Sequence, residues 1–171
     1  MSYDSDFPEG RIDEVDATVR DYFESSGVST TDITIGALES ADRDSYEGTV
    51  HVDQSAVRSV ADIYLQVTEA MSRNLLETQN KLTQPEIMTL SLYLRQASYT
   101  KAVELMEENE EPKVEKVKGR VKTFVKTLGV PNMEYEPHEI VEQPRETLEE
   151  VRKVNDLLTA TAGEREFSVL Y

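Results

Sequence analysis

Apolar residues recur at helical spacing along most of this chain. Ile12, Val15, Val19, Tyr22 and Phe23 fall on one face of a helix expected over about 11–25, and Gly27 ends it. A shorter helix is expected from Thr31 or Asp32, either a plausible N-cap, to about Ala41, although Gly36 weakens it. Residues 42–53 are polar and rich in turn formers, with Thr49–Val52 as a brief extended piece.

The middle of the chain carries the strongest pattern. Val57, Val60, Ala61, Ile63, Tyr64, Val67, Ala70, Met71 and Leu75 trace one stripe of a helix expected over 54–80. Thr83-Gln84-Pro85-Glu86 then reads as a helix start, with a Thr cap, Pro in the first turn and Glu three residues after the cap. The stripe that follows is Ile87, Leu90, Tyr93, Leu94, Ala97, Val103 and Met106, on a helix expected over 84–108. It reaches the acidic run Glu107-Glu108-Asn109-Glu110-Glu111, where carboxylates oppose the helix dipole and call for fraying or a nearby cation. Two long helices with a short link imply an antiparallel hairpin.

Pro112 opens a third strong helix, over 113–128. Its apolar side is Val114, Val117, Val121, Phe124, Val125 and Leu128, and Gly129 and Pro131 stop it. Three prolines (Pro131, Pro137, Pro144) mark residues 129–144 as an extended connector. A last helix is expected over 145–163, with Leu148, Val151, Val154, Leu157 and Leu158 inward and Gly163 as its stop. Residues 1–10 read as a flexible arm and 164–171 as an extended apolar tail. The expected fold is therefore all-α: a helical domain over 11–128 built as a bundle around the long hairpin, then connector, C-terminal helix and tail.

Composition narrows the class. The chain has 171 residues, enough for one domain with a real core, but only 38% are hydrophobic and 30% are charged. Cysteine is absent, which removes disulfides, thiolate metal sites and cysteine nucleophiles. No stretch approaches the roughly 18 apolar residues of a membrane span, so no membrane partner is expected. Met1–Asp6 hold neither a basic run nor an apolar stretch, so no secretory signal is expected there.

Motifs for catalysis or cofactor binding do not stand out. His51 and His138 lie 87 positions apart, and both read as polar surface residues. Neither has a Glu three residues before it, as a helical di-metal carboxylate site requires. Asp42-x-Asp44 lacks the third acid of a Ca²⁺ loop, and no Gly-rich phosphate loop or Gly-x-Ser-x-Gly elbow is present. No catalytic, metal or cofactor residue is assigned, and the expectation is a protein that is not an enzyme.

Charge is the remaining signal. The chain has 34 Asp+Glu against 18 Lys+Arg, a formal net charge of -16. Spread acidity with scarce lysine suits a halophile, whose carboxylate-dense surface stays soluble in molar salt, where the Debye length is roughly 3 Å. Between Lys113 and Lys126 the balance inverts. Lys113, Lys116, Lys118, Arg120, Lys122 and Lys126 stand against Glu115 alone, so this window is +5 and the rest of the chain -21. Lys118, Lys122 and Lys126 form one row, Lys113, Lys116 and Arg120 another, and the valine stripe lies between them. Such rows either pair with acids of the same chain, for instance Glu146, Glu149 and Glu150, or meet an acidic neighbouring copy, or meet DNA. Against DNA stand the net charge and a single aromatic, Phe124, on the apolar side.

The paired helices 54–80 and 84–108, the basic helix 113–128 and the tail 166–171 together give a layout similar to the small head–tail connector (adaptor) proteins of haloarchaeal tailed viruses. The resemblance is architectural, covers most of the chain and rests on no diagnostic motif. It implies a non-enzymatic structural subunit of a homo-oligomeric ring, located in the virion, that contacts other copies of itself and a portal or tail component. A non-viral chain of this kind would be cytoplasmic. The residues expected to make contacts are the six cations Lys113–Lys126 and the tail residues Phe167, Val169, Leu170 and Tyr171. The alternative is a small helical regulator whose basic helix, 113–126, touches DNA without sequence specificity.

Overall fold

A computed structural model describes residues 11–31, 33–38, 45–46, 49–53, 59–127 and 134–154. The arm 1–10 and the tail 164–171, with Phe167, Val169, Leu170 and Tyr171, lie outside these residues, as does the last helix beyond 154.

The packed body is helical. Its elements are α1 (Ile12–Ser25), α2 (Val60–Gln79), α3 (Gln84–Glu108), α4 (Val114–Thr127) and α5 (Pro137–Glu142), followed by α6 over residues 144–154. Three short strands, β1 (Thr34–Leu38), β2 (Ser45–Tyr46) and β3 (Thr49–Asp53), accompany it. They form one sheet in the order β1-β3-β2, with β1 parallel and β2 antiparallel to β3. This corrects the helix expected from Thr31 to Ala41. Ile33, Thr34 and Ile35 are a β-branched run, poor in a helix and good on a pleated surface, and Gly36 lowers helix stability further. The extended piece at Thr49–Val52 is the central strand.

Two helix ends show why the boundaries fall where they do. At the end of α1, Gly27 takes φ +90°, the Val28 N–H donates to Phe23 O at 2.9 Å and the Gly27 N–H donates to Glu24 O at 3.1 Å. These are the two reversed bonds of a Schellman close, and its apolar pair, Phe23 with Val28, is buried. Arg20 then pins the chain leaving the helix, donating to Thr30 O at 2.7 Å and Ile33 O at 2.5 Å. At the start of α3, the Thr83 hydroxyl accepts from the Glu86 N–H at 3.3 Å while Glu86 accepts from the Thr83 N–H at 2.8 Å. This is the reciprocal capping box that the sequence spells.

The core lies between α2 and α3, the two helices in most extensive contact. Ile63, Tyr64, Val67, Met71, Leu75 and Leu76 from α2 meet Leu90, Leu94, Ala102 and Met106 from α3. Helix α1 adds Val15, Val19 and Phe23, all fully buried. Glu69, 4% exposed, sits among these layers because Arg73 and Arg95 hold its carboxylate at 2.5 and 2.6 Å. Burying that charge without partners would be prohibitive.

The segment expected to be an extended connector contains α5. Pro137 does not break the chain's helicity: it occupies the first turn of α5, where its missing N–H costs nothing. Glu136 and Glu139 complete a second capping box around it. Helices α5 and α6 dock through buried Ile140, Val141, Leu148 and Val151. The Asn80 amide donates to Val141 O at 2.9 Å, and Arg145 reaches Glu86 at 3.0 Å and Lys81 O at 2.9 Å. No helix among the described residues is long and apolar enough to cross a membrane.

Candidate functional site

Helix α4 follows a sharp turn. The carboxylates at and just beyond the end of α3 receive the cations that their position demands: Glu111 takes Arg11, the residue that precedes α1, and Glu107 takes Lys118 at 3.1 Å. Lys113 enters α4 with φ +64°, an uncommon conformation for a side chain of that size. The valine stripe then lays α4 on α3. Val117 and Val121 are buried, and Val114 and Val125 are partly buried. Phe124, half-buried, packs against Tyr99 of α3 with ring centroids 5.0 Å apart and planes tilted by 40°.

This shallow seating leaves an open groove on each side of α4. One, of about 910 Å³, lies between Val103 and Glu107 of α3 and Lys118, Lys122 and Lys126 of α4. The other, of about 920 Å³, lies between Asp62 and Leu65 of α2, Tyr99 of α3 and Arg120 and Phe124 of α4. Among the six cations, Lys118 pairs with Glu107 and Arg120 with Asp62 at 3.6 Å. Lys113, Lys116, Lys122 and Lys126 are exposed and form no ion pair among the described residues. The same-chain partners named from sequence, Glu146, Glu149 and Glu150, are not the ones used. They stand on α6, while α4 is held against α3 and the facing end of α2. Glu149 pairs instead with Lys153, at 3.8 Å.

A second charged region adjoins the lysine groove along Thr100 and Glu104 of α3. A cavity of about 280 Å³ separates α3 from the start of α5, lined by Tyr93, Gln96, Lys101 and Glu104 and by Glu134, Tyr135 and Glu136. Lys101 is its centre. Its ammonium reaches Glu104 at 2.6 Å and Glu136 at 2.5 Å, and sits 4.8 Å from the centroid of the Tyr22 ring. Burial pulls the lysine pKa down, but the two carboxylate bonds outweigh it and hold the pKa above the usual value. The bond from Lys101 lowers Glu136. Tyr22 also accepts from the His138 N–H at 3.1 Å and lies 2.7 Å from His138 Nδ1, and burial raises its phenol pKa. His138 is thus a half-buried tether on α5 and not the surface residue expected from sequence.

A neighbouring cavity of about 220 Å³ shares Tyr135 and is walled by Glu139, Glu146, Glu149 and Glu150, with Lys153 at its edge. Burial raises the Tyr135 phenol pKa, with the negative field of Glu150 and Glu139 adding to it. Gln96 lies 5% exposed in the first wall, and its Nε2 has no hydrogen-bond partner among the described residues.

Sequence reading missed this second region. Its signal was Lys101, a cation at the helical phase of buried Leu94 and Ala97. Long-range partners such as Tyr22 and Glu136 leave no such mark. The described residues hold no group of three or more His, Asp or Glu placed to bind a metal ion. Comparison with protein-family models, with curated proteins and with solved structures finds no match to this chain.

Proposed function

We propose that this protein is a non-enzymatic assembly subunit that builds a homo-oligomeric ring, with α4 as the helix that meets the neighbouring copy. One observation carries the reading: three exposed lysines on a shallowly seated helix and a fourth, Lys113, at its entry, all unpaired among the described residues, on a chain whose remaining charge is -21. The α2–α3 pair is read as the antiparallel hairpin that anchors the subunit, and the chain's own copies are the acidic surface most available to it. A head–tail connector of a tailed virus remains the setting that the layout suggests. The arm and tail on which that likeness partly rests lie outside the described residues.

The test is absolute mass by light scattering after size exclusion, across salt. At about 0.01 M salt the Debye length is roughly 30 Å and the net charge of -16 drives copies apart. At about 0.15 M it is roughly 8 Å, so the bulk repulsion is screened while contacts at hydrogen-bonding range persist. A discrete oligomer that appears between these conditions and is lost in Lys122→Glu with Lys126→Glu is expected. A monomer at every salt concentration up to molar rejects the proposal.

The DNA-binding alternative draws on the same free lysines. It expects duplex binding that weakens steeply with salt and vanishes in the same double variant. The seating of Phe124 on Tyr99 weighs against it, since no exposed aromatic among the described α4 residues is left to stack on a base.

A further inference from the structure

We infer that the surface receiving α4 is the acidic strip on either side of Tyr135 in the next copy. This rests on the proposal that the protein assembles, and adds which two faces meet. The strip comprises the two cavities that share Tyr135. Together they are lined by seven glutamates and two lysines, a formal -5. The window from Lys113 to Lys126 is opposite in sign at +5, with Lys118 and Arg120 already paired to Glu107 and Asp62 and Lys113, Lys116, Lys122 and Lys126 exposed. The two surfaces adjoin along Thr100 and Glu104, which line both the first cavity and the groove beside Lys118, Lys122 and Lys126, and within one chain they are not joined by any ion pair among the described residues.

The strip is also shaped for side chains. Its cavities, about 280 and 220 Å³, are smaller than the roughly 300–1,000 Å³ of typical small-molecule sites. The tyrosine edge of Tyr135 between them gives a lysine stem an apolar surface to lie along while its ammonium meets carboxylate.

Geometry then limits the assembly type. Adjoining complementary patches meet either reciprocally, closing a two-fold dimer with each α4 on the other copy's strip, or in one direction only, propagating until the rotation closes a ring.

The absence of cysteine makes the test clean. Single variants Lys122→Cys, Glu149→Cys and, as a control on α2, Glu77→Cys all place a thiol at an exposed position. Under mild oxidation at about 0.15 M salt, mixing Lys122→Cys with Glu149→Cys is expected to give several-fold more disulfide-linked dimer than Lys122→Cys with Glu77→Cys, or than either variant alone. Self-linking of Lys122→Cys at equal or higher yield would overturn the inference in favour of α4 meeting α4. Absence of cross-linking while light scattering reports an oligomer would place the interface elsewhere and leave the assembly proposal standing. A double variant, Lys122→Cys with Glu149→Cys, that closes on itself at a dilution where only monomer exists would show the two faces meeting within one chain. That too would overturn it. A monomer under all conditions removes the inference and the assembly proposal together.

Discussion

Helices α3 and α4 each carry six charged residues, α3 over 25 residues and α4 over 14, yet the molecule treats them in opposite ways. Helix α3 buries eleven of its residues, and its charges are drawn into the same chain. Arg95 goes to Glu69, Lys101 to Glu104 and Glu136, and Glu107 to Lys118. Helix α4 buries two residues, and Lys116, Lys122 and Lys126 are left unpaired among the described residues. Charge content alone therefore says little about role. What separates a structural charge from an available one is the apolar area its helix buries, because buried area fixes the helix and brings opposite charges into register.

The sharpest way to break this comparison is to empty one side chain from each helix. Leu94→Ala, at a site 1% exposed between α2 and α3, is expected to lower unfolding stability by about 2–5 kcal/mol. Val121→Ala, 8% exposed under α4, removes two methyl groups and is expected to lower it by about 1–2 kcal/mol. Urea midpoints at constant slope measure both. Equal losses would mean that α4 belongs to the cooperative core and is not a lightly seated element.

Next in size is the charge that α3 does bury. Lys101→Met keeps the stem and removes the ammonium shared by Glu104 and Glu136. Because both carboxylates remain about half exposed and can turn to water, the expected loss is about 1–2 kcal/mol, not the larger penalty of a fully buried orphan. The same pair shapes the pH dependence. Glu136 is lowered in the fold, so its contribution is complete above its ordinary value of 4.5 and drains away as pH falls through the folded value. Glu24 and Glu86, lowered by their bonds to Thr30 and Thr83, act in the same direction. Asp16, raised chiefly by burial, opposes them and favours the fold as pH falls. At the other end Lys101 is raised, so its contribution is complete below 10.5 and is lost as pH rises through the folded value. Glu136→Gln should flatten the acid limb of stability measured between pH 7 and 3. An unchanged limb would show that the Lys101 pair does not hold α5 to the body.

The sequence declared the long helices and their core because a period of 3.6 is local and survives in one dimension. Ile63, Val67, Ala70 and Leu75 repeat at that period, and Thr83 with Glu86 marks an end by a contact only three residues long. It failed where two local signals competed. Pro137 reads equally as a breaker and as the first residue of α5, and only the Glu136–Glu139 box decides between them. At Thr34–Ala37 a helix start and a β-branched run overlap, and pairing with β3, fifteen residues away, settles the matter. The cations of α4 were visible by counting, but the acidic strip was not. Its glutamates lie on α3, at the start of α5 and on α6, and become one surface only after packing. The value of a cap can be read from the same logic: Thr83→Ala should cost about 1 kcal/mol, read as a shift in thermal midpoint, because Glu86 and the first turn of α3 lose their partner.

The smallest expected change tests α4 most finely. Gly119 stands at the middle of α4 and lines both grooves. A Cβ placed on it meets nothing within 4 Å, so space inside the subunit does not require glycine there. Within a helix, glycine in place of alanine costs roughly 0.5–1 kcal/mol in backbone freedom. Gly119→Ala should therefore raise the stability of the monomer by about that amount, seen as a higher urea midpoint at a salt concentration where no oligomer forms. A glycine kept at such a cost fits a helix whose outer face is approached closely by another chain. If α4 is the docking helix, the added methyl group should weaken association in the same protein that it stabilises. Opposite signs in the two measurements, one on the monomer and one on the assembly, separate a contact face from a merely solvated one. Higher stability with unchanged association would place the neighbour's closest approach away from Gly119, along the Lys122 and Lys126 end of the helix.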